Sequence, residues 1–348
     1  MMQIKKYLAP ILSVVVLVFI ISCKHANHKP DRAFYYWRSN FSLPDKDVRY
    51  LKDAGVDKLY LHFFDVTWNE QLSKPQPVDE IKFGREPSSK FTYVPVVFIS
   101  NKVLEEAYFD SINVLATHIY DEVEHIATEN KITNKELQFD CDWTDATRNK
   151  YFKLLNFLHG KLNAEGKILS ATIRLHQVKY ADRTGVPPVD RGMLMFYNMG
   201  RINTVAGYNS IYNSKDANGY VRYVSDYSLP LDVALPVFSW AVCVRDGQVK
   251  DIIEKATDKD FADTIMFASS GNNIFVSRGS FLLHGKYFLK SDTVKLEEIT
   301  PAICETAATN VSNYLKNENR TVSLFDYDSL YLLKYDKNDL EKIYTISR

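Results

Sequence analysis

Two aspartates close an apolar run in the middle of this chain, E-L-Q-F-D-C-D-W-T over residues 136–144. Side chains of a strand alternate between faces, so Gln138, Asp140 and Asp142 share one face and Leu137, Phe139 and Cys141 the other. Two like charges side by side at a strand end are costly unless a ligand, a cation or a proton answers them. The pair is therefore the first candidate for proton chemistry or for hydrogen bonding to a polar ligand. Other polar and indole side chains stand at the ends of apolar runs: Trp37, His62 with Asp65, Ser100 with Asn101, Arg174 with His176, Tyr197 with Asn198, Trp240, and Asp326 with Asp328. Arg174, on the run that follows the two aspartates, is placed to neutralise Asp142. His62 with Asp65 suits a hydrogen-bonded structural imidazole as well as a catalytic one.

The runs that must position these ends number eight: 34–37, 58–64, 93–99, 136–142, 168–175, 192–199, 232–238 and 321–328. Helical patterns separate most of them. One is opened by Pro44 and Asp45 and closed by Gly55. Another covers 103–129, with Leu115, Ile119, Val123 and Ile126 on one side, and two more lie near 145–163 and 300–316. Alternating strands and helices predict a parallel sheet, and eight units in about 300 residues predict an α/β fold of the (β/α)8 TIM-barrel type over 33–348. The first strand is followed by S-N-F-S-L-P-D and not by a Gly-rich phosphate loop, which counts against an open dinucleotide-binding sheet. Residues 241–299 interrupt the pattern with I-F-V-S-R-G-S-F-L-L-H, read as extra strands inserted between strands seven and eight. Barrel sites lie at the carboxyl ends of the strands, so the polar ends named above are expected to converge on one rim.

Composition narrows the function classes. The chain carries 43 basic and 43 acidic side chains, with no basic run, so nucleic acid is not an expected partner. Aromatic residues make up 13% of the sequence, enough to supply ring platforms for sugars as well as core. Cys141, Cys243 and Cys304 form no C-x-x-C pair and each sits in an apolar segment, so buried thiols are expected in place of a disulfide framework or zinc site. No sequence motif calls for a metal or another cofactor.

At the N-terminus, Lys5 and Lys6 precede an apolar stretch from Leu8 to Ser22, shorter than the roughly 20 residues that span a bilayer. It ends in I-I-S-C, which resembles the lipobox of bacterial lipoproteins. That resemblance implies a signal peptide over 1–22, acylation of Cys23 (palmitate among the chains), and a tether over 23–32. Membrane anchoring would then be through lipid and not through a spanning helix. Lys24 stands where some bacteria place an inner-membrane retention Asp, so an outer-membrane anchor, facing periplasm or cell surface, is expected.

The core also resembles a known family. L-Q-F-D-C-D-W-T is similar to the fourth-strand motif D-G-x-D-x-D-x-E of glycoside hydrolase family 18, the chitinase-like barrels, with Asp140 and Asp142 on its D-x-D. M-F-Y-N (195–198) resembles the sixth-strand M-x-Y-D, and A-L-P-V-F-S-W (234–240) the seventh-strand G-L-P-x-Y-G. An uncharacterised family of bacterial barrel lipoproteins resembles this set of segments more closely. The family resemblance implies a glycan ligand contacted by Tyr197 and Asn198. Three positions depart from the pattern: Thr144 replaces the general-acid Glu, Leu137 stands in the region of the first Asp, and Asn198 replaces an Asp. A Thr hydroxyl cannot act as a general acid near neutral pH. Two functions remain. One is a glycosidase-like hydrolase using a rearranged carboxylate pair, Asp142 with Asp326, Asp328 or Asp65, beside Asp140. The other is a non-catalytic glycan binder, with Trp37, Tyr197 and Trp240 stacking on rings and the aspartates, His62, Asp65, Asn198 and Arg174 bonding hydroxyls.

Overall fold

A computed structural model of the chain describes residues 29–347. The signal peptide, Cys23 and most of the tether fall outside the described residues. Eight parallel strands close on themselves: β1 (Asp31–Tyr36), β2 (Lys58–Asn69), β3 (Thr92–Ile99), β4 (Glu136–Asp140), β5 (Ile168–Arg174), β6 (Arg191–Met195), β7 (Leu231–Pro236) and β8 (Thr321–Phe325). Closure is explicit in the register, because Phe34 of β1 pairs with Leu59 of β2 on one side and with Leu324 of β8 on the other. The fold is a (β/α)8 barrel.

The outer ring is uneven. Helices α1 (Asp45–Asp53), α2 (Ile112–Glu129) and α3 (Arg148–Ala164) cover the first half, and α4 (Pro301–Ser312) with α5 (Lys337–Ile346) flank β8. In α1 the acids Asp45 and Asp47 sit in the first turn and Lys52 in the last, which suits the helix dipole. Gly55 then leaves the helix at φ +72°, a conformation open to glycine. One side of α2 buries Leu115, Ile119, Val123 and Ile126 against the barrel, as their spacing predicts. After β5 and β6 only short helical pieces remain, such as Leu175–Lys179 and Ser214–Asn218.

The predicted interruption is an inserted lobe between β7 and α4. Its five-stranded antiparallel sheet includes Ser239–Arg245, Gln248–Glu254 and Thr293–Glu298. A separate small core of Ala241, Ile253, Phe261, Phe267, Val294 and Leu296 stabilises it. Cys141, Cys243 and Cys304 are all buried free thiols, as their apolar segments imply.

Barrel interiors are commonly filled by branched apolar side chains. This one is filled largely by polar groups that answer one another. At the amino end of the strands, Lys58 Nζ lies 3.7 Å from Glu136 Oε2, and Arg191 Nε lies 3.2 Å from Asp232 Oδ2. One layer up, the Tyr35 hydroxyl donates to Gln138 Oε1 at 2.5 Å across the barrel, and Gln138 Nε2 donates to Ser170 Oγ at 3.2 Å. Ser170 in turn donates to Glu136 Oε1 at 2.7 Å. The groups of this ladder answer one another, which is the condition for their being tolerated, whereas the buried Tyr60 and Ser323 hydroxyls have no partner.

Candidate functional site at the carboxyl rim of the barrel

The same alternation that stacks Glu136, Gln138 and Asp140 up the inside of β4 carries the ladder to the rim. Asp140 is buried and accepts a 2.6 Å hydrogen bond from Thr172 Oγ1 of the neighbouring strand. Burial pushes its carboxyl pKa up, against the opposing pull of Arg174 and Thr172. The strand ends at Asp140, and Asp142 stands beyond it with its side chain 50% exposed. Arg174, the last residue of β5, donates from Nε to Asp142 Oδ1 at 2.5 Å and holds Nη2 at 3.8 Å from Asp140 Oδ1. The two aspartates are thus coupled through one guanidinium, whose own pKa is raised by both carboxylates in spite of burial.

Trp143, directly after Asp142, turns to the opposite face, as strand alternation requires. Its ring stacks on Tyr151 of α3 and its Nε1 donates to the Thr184 carbonyl at 2.9 Å, so it belongs to the core. Thr144 begins the turn into α3: its N–H donates to Thr147 Oγ1 at 2.9 Å. No carboxyl stands at that place.

On β8 the rim carries a second acid. Asp326 is 6% exposed, and burial pushes its pKa up to about 6 while Lys255 and Arg38 pull it down and Asp328 raises it. Asp328 is otherwise engaged. Its Oδ1 accepts from the Leu330 N–H, and its Oδ2 pairs with Arg38 at 3.0 Å and Lys255 at 3.2 Å. Asp65 is engaged by His62, whose Nε2 lies 2.6 Å from its Oδ1. Residues three apart in a regular strand face opposite ways; a register shift between His62 and Phe64 brings these two together.

Tyr197 feels both groups of acids. Burial raises its hydroxyl pKa well above the usual value, Arg174 lowers it, and Asp140, Asp326 and Asp142 each raise it, so the phenol sits in the field of three carboxylates. Its ring contacts Phe325 at 5.0 Å between centroids, and Phe325 also meets Trp37 at 5.6 Å and Phe238 at 5.9 Å. Trp37 packs on His62 at 4.8 Å. These rings form an aromatic floor across the mouth of the barrel.

A cleft of about 420 Å³ opens above this floor, lined by Asp142, Arg174, His176, Tyr197, Asn198 and Tyr220 among others. Four of the sequence-predicted residues therefore meet in one cleft: Asp142, Arg174, Tyr197 and Asn198. Asp140 lies beneath them, and Asp326 follows Phe325, whose ring contacts Tyr197, without lining the cleft itself. Trp37, His62 and Asp65 belong to the neighbouring floor and rim. Trp240 is displaced from the expected strand end: it sits on the first strand of the inserted lobe and donates from Nε1 to Glu297 Oε2 at 2.8 Å. Sequence reasoning did not select Tyr220 or Lys255. Both come from connections whose path no strand pattern marks, and His176 was visible only as a strand-end neighbour of Arg174.

No family model matches the sequence, and no curated protein matches it. Solved structures do match in fold. A chitinase from Chromobacterium violaceum superposes with a TM-score of 0.53 at 11% identity, covering 90% of this chain and 98% of that one. The Bacillus cereus spore cortex-lytic enzyme SleL gives 0.53 at 12% identity, over 92% of this chain and 75% of that one. An Ostrinia furnacalis Group IV chitinase in complex with allosamidin gives 0.52 at 12% identity, over 91% and 98%. At these identities the likeness is one of architecture: the chain shares the barrel fold of chitinase-like proteins.

Proposed function

We propose that this chain is a glycoside hydrolase-like envelope lipoprotein that acts on a glycan with a carboxylate pair rearranged from the family 18 pattern. The observation that supports it is the rim itself: Asp142 and Tyr197 line the cleft, and Asp326, next in the chain to the Phe325 ring that contacts Tyr197, has its pKa pushed up to about 6 by burial. In this reading Asp326 is the general acid that protonates the leaving glycosidic oxygen, a task suited to a carboxyl with a raised pKa. Asp142, fixed by Arg174, is the partner carboxylate: it accepts a proton from the water that bonds to the anomeric carbon as the leaving oxygen departs with the proton of Asp326, and Asp140 fixes Arg174 from below. Tyr197 and Asn198 bond the ring substituents, while Trp37 supplies apolar ring surface. Trp240 is a further ring platform, held by Glu297. The short sequence motifs and the chitinase and cortex-lytic neighbours support a glycan of the chitin or cell-wall kind.

The anchor is part of the same proposal. Acylated Cys23 holds the protein to a membrane, with the outer membrane favoured by Lys24. β1 starts at Asp31, at the barrel end opposite the cleft.

Thr144 supports the second reading, a glycan binder without hydrolysis, because the family's acid is missing there. A panel of soluble and particulate glycans separates the two. Hydrolysis releases new reducing ends; retention of glycan without them assigns the chain to the binders, and neither would reject the glycan reading.

A further inference from the structure

The wall of the cleft formed by Tyr220 carries a positive charge that no carboxylate among the described residues answers. Lys179 closes the short helix Leu175–Lys179, one turn after His176, which lines the cleft. Its ammonium stands 5.0 Å from the Tyr220 ring centroid, 5.5 Å from that of Tyr180 and 5.9 Å from that of Tyr223. Arg222 adds a second cation, 4.9 Å from the Tyr223 centroid, and its Nη2 donates to the Tyr223 hydroxyl at 3.0 Å. Among the described residues no carboxylate forms an ion pair with either Lys179 or Arg222, whereas the one acid lining the cleft, Asp142, is already paired with Arg174.

Tyrosine faces attract and orient a cation but do not neutralise it. An exposed tyrosine such as Tyr180, at 44%, also offers the flat surface on which a sugar ring packs. We propose that this corner is a subsite for a carboxylated saccharide: the ring lies on Tyr220 and Tyr180, and its carboxylate pairs with Lys179. The inference rests on the glycan reading above and narrows it to acidic glycans, either a uronic acid polymer or a glycan whose acid is an ether-linked lactyl group. The cleft would then take a neutral unit at Asp142 and Tyr197 and an acidic unit beside it.

Titration calorimetry on the protein tests this with four ligands: a uronic acid oligosaccharide, a lactyl-bearing muramic acid oligosaccharide, and the primary amide of each. The expected result is tighter binding of at least one acid than of its amide. In the Lys179→Met variant, which keeps the apolar stem, that preference falls about tenfold, the worth of one charge-assisted contact. Which acid is preferred identifies the source. Equal affinity for acid and amide, or a preference untouched in Lys179→Met, would overturn the subsite while leaving the glycan reading intact. Binding of none of these ligands, nor of any neutral glycan, would overturn both.

Discussion

Arg174 Nε lies 2.5 Å from Asp142 Oδ1, and the same guanidinium reaches to 3.8 Å from the buried Asp140. One cation thus serves an exposed carboxylate that faces the cleft and a hidden one that faces the barrel. This relation explains why two acids two residues apart are tolerated at the end of β4.

It also makes Arg174→Met costly. Removing one partner of a buried pair leaves the other charge uncompensated, a loss of about 3 kcal/mol. Urea denaturation is expected to show that loss in Arg174→Met and to show much of it recovered in the double variant with Asp140→Asn. Unchanged stability in the single variant would mean that Asp140 does not depend on Arg174.

Stability should also respond to Asp326. Its folded pKa of about 6 lies above the ordinary 3.8, so between about pH 4 and 6 the unfolded chain releases a proton that the folded chain keeps. The folded state loses ground as pH rises through that window, by about 3 kcal/mol at its upper end, and the difference is flat above it. Asp326→Asn is expected to remove this share, leaving that of Asp232, which burial raises to about 7 at the opposite end of the barrel. Chemical denaturation at pH 4, 5, 6 and 7 checks the sign. An identical pH slope in the variant would place the Asp326 pKa near its ordinary value.

Sequence read the strand ends well because alternation within a strand and burial outside it are local. Asp142 with Arg174, and Tyr197 with Asn198, were placed by counting from apolar runs, and the barrel followed from eight such runs. The contacts that sequence leaves unmarked are not local. Trp143 is drawn into the core by Tyr151 and the Thr184 carbonyl, and Trp240 is bound by Glu297 from a strand over fifty residues on. The displaced register between His62 and Phe64, which seats Asp65 against His62, leaves no mark in composition or spacing.

Glu297 is the latch between the inserted lobe and the barrel. Its Oε2 accepts from Trp240 Nε1, from the Ser210 N–H at 2.9 Å and from Ser210 Oγ at 2.5 Å, and its Oε1 lies 2.7 Å from Lys295 Nζ. Glu297→Ala leaves three donors without their acceptor and the buried Lys295 ammonium with oxygens of Asn203, Val205 and Tyr208 but no carboxylate, so a loss of about 3 kcal/mol is expected. A red shift in tryptophan emission, as Trp240 loosens, should accompany it. Retained stability with unshifted emission would show that the lobe is held by its apolar contacts alone.

The anchor is checked on cells. Cys23→Ser is expected to abolish incorporation of labelled palmitate and to move the protein from the membrane to the soluble fraction. Continued membrane association of an unlabelled Cys23→Ser protein would contradict the acyl anchor.

The central claim is that Asp142 takes part in breaking a glycosidic bond. The most direct measurement is reducing-end release by Asp142→Asn against wild type, with glycan affinity measured on the same preparations. Loss of turnover by roughly a thousandfold, within the usual range for a removed acid or base, with affinity nearly kept, is the expected result. Equal turnover by the two proteins would contradict it.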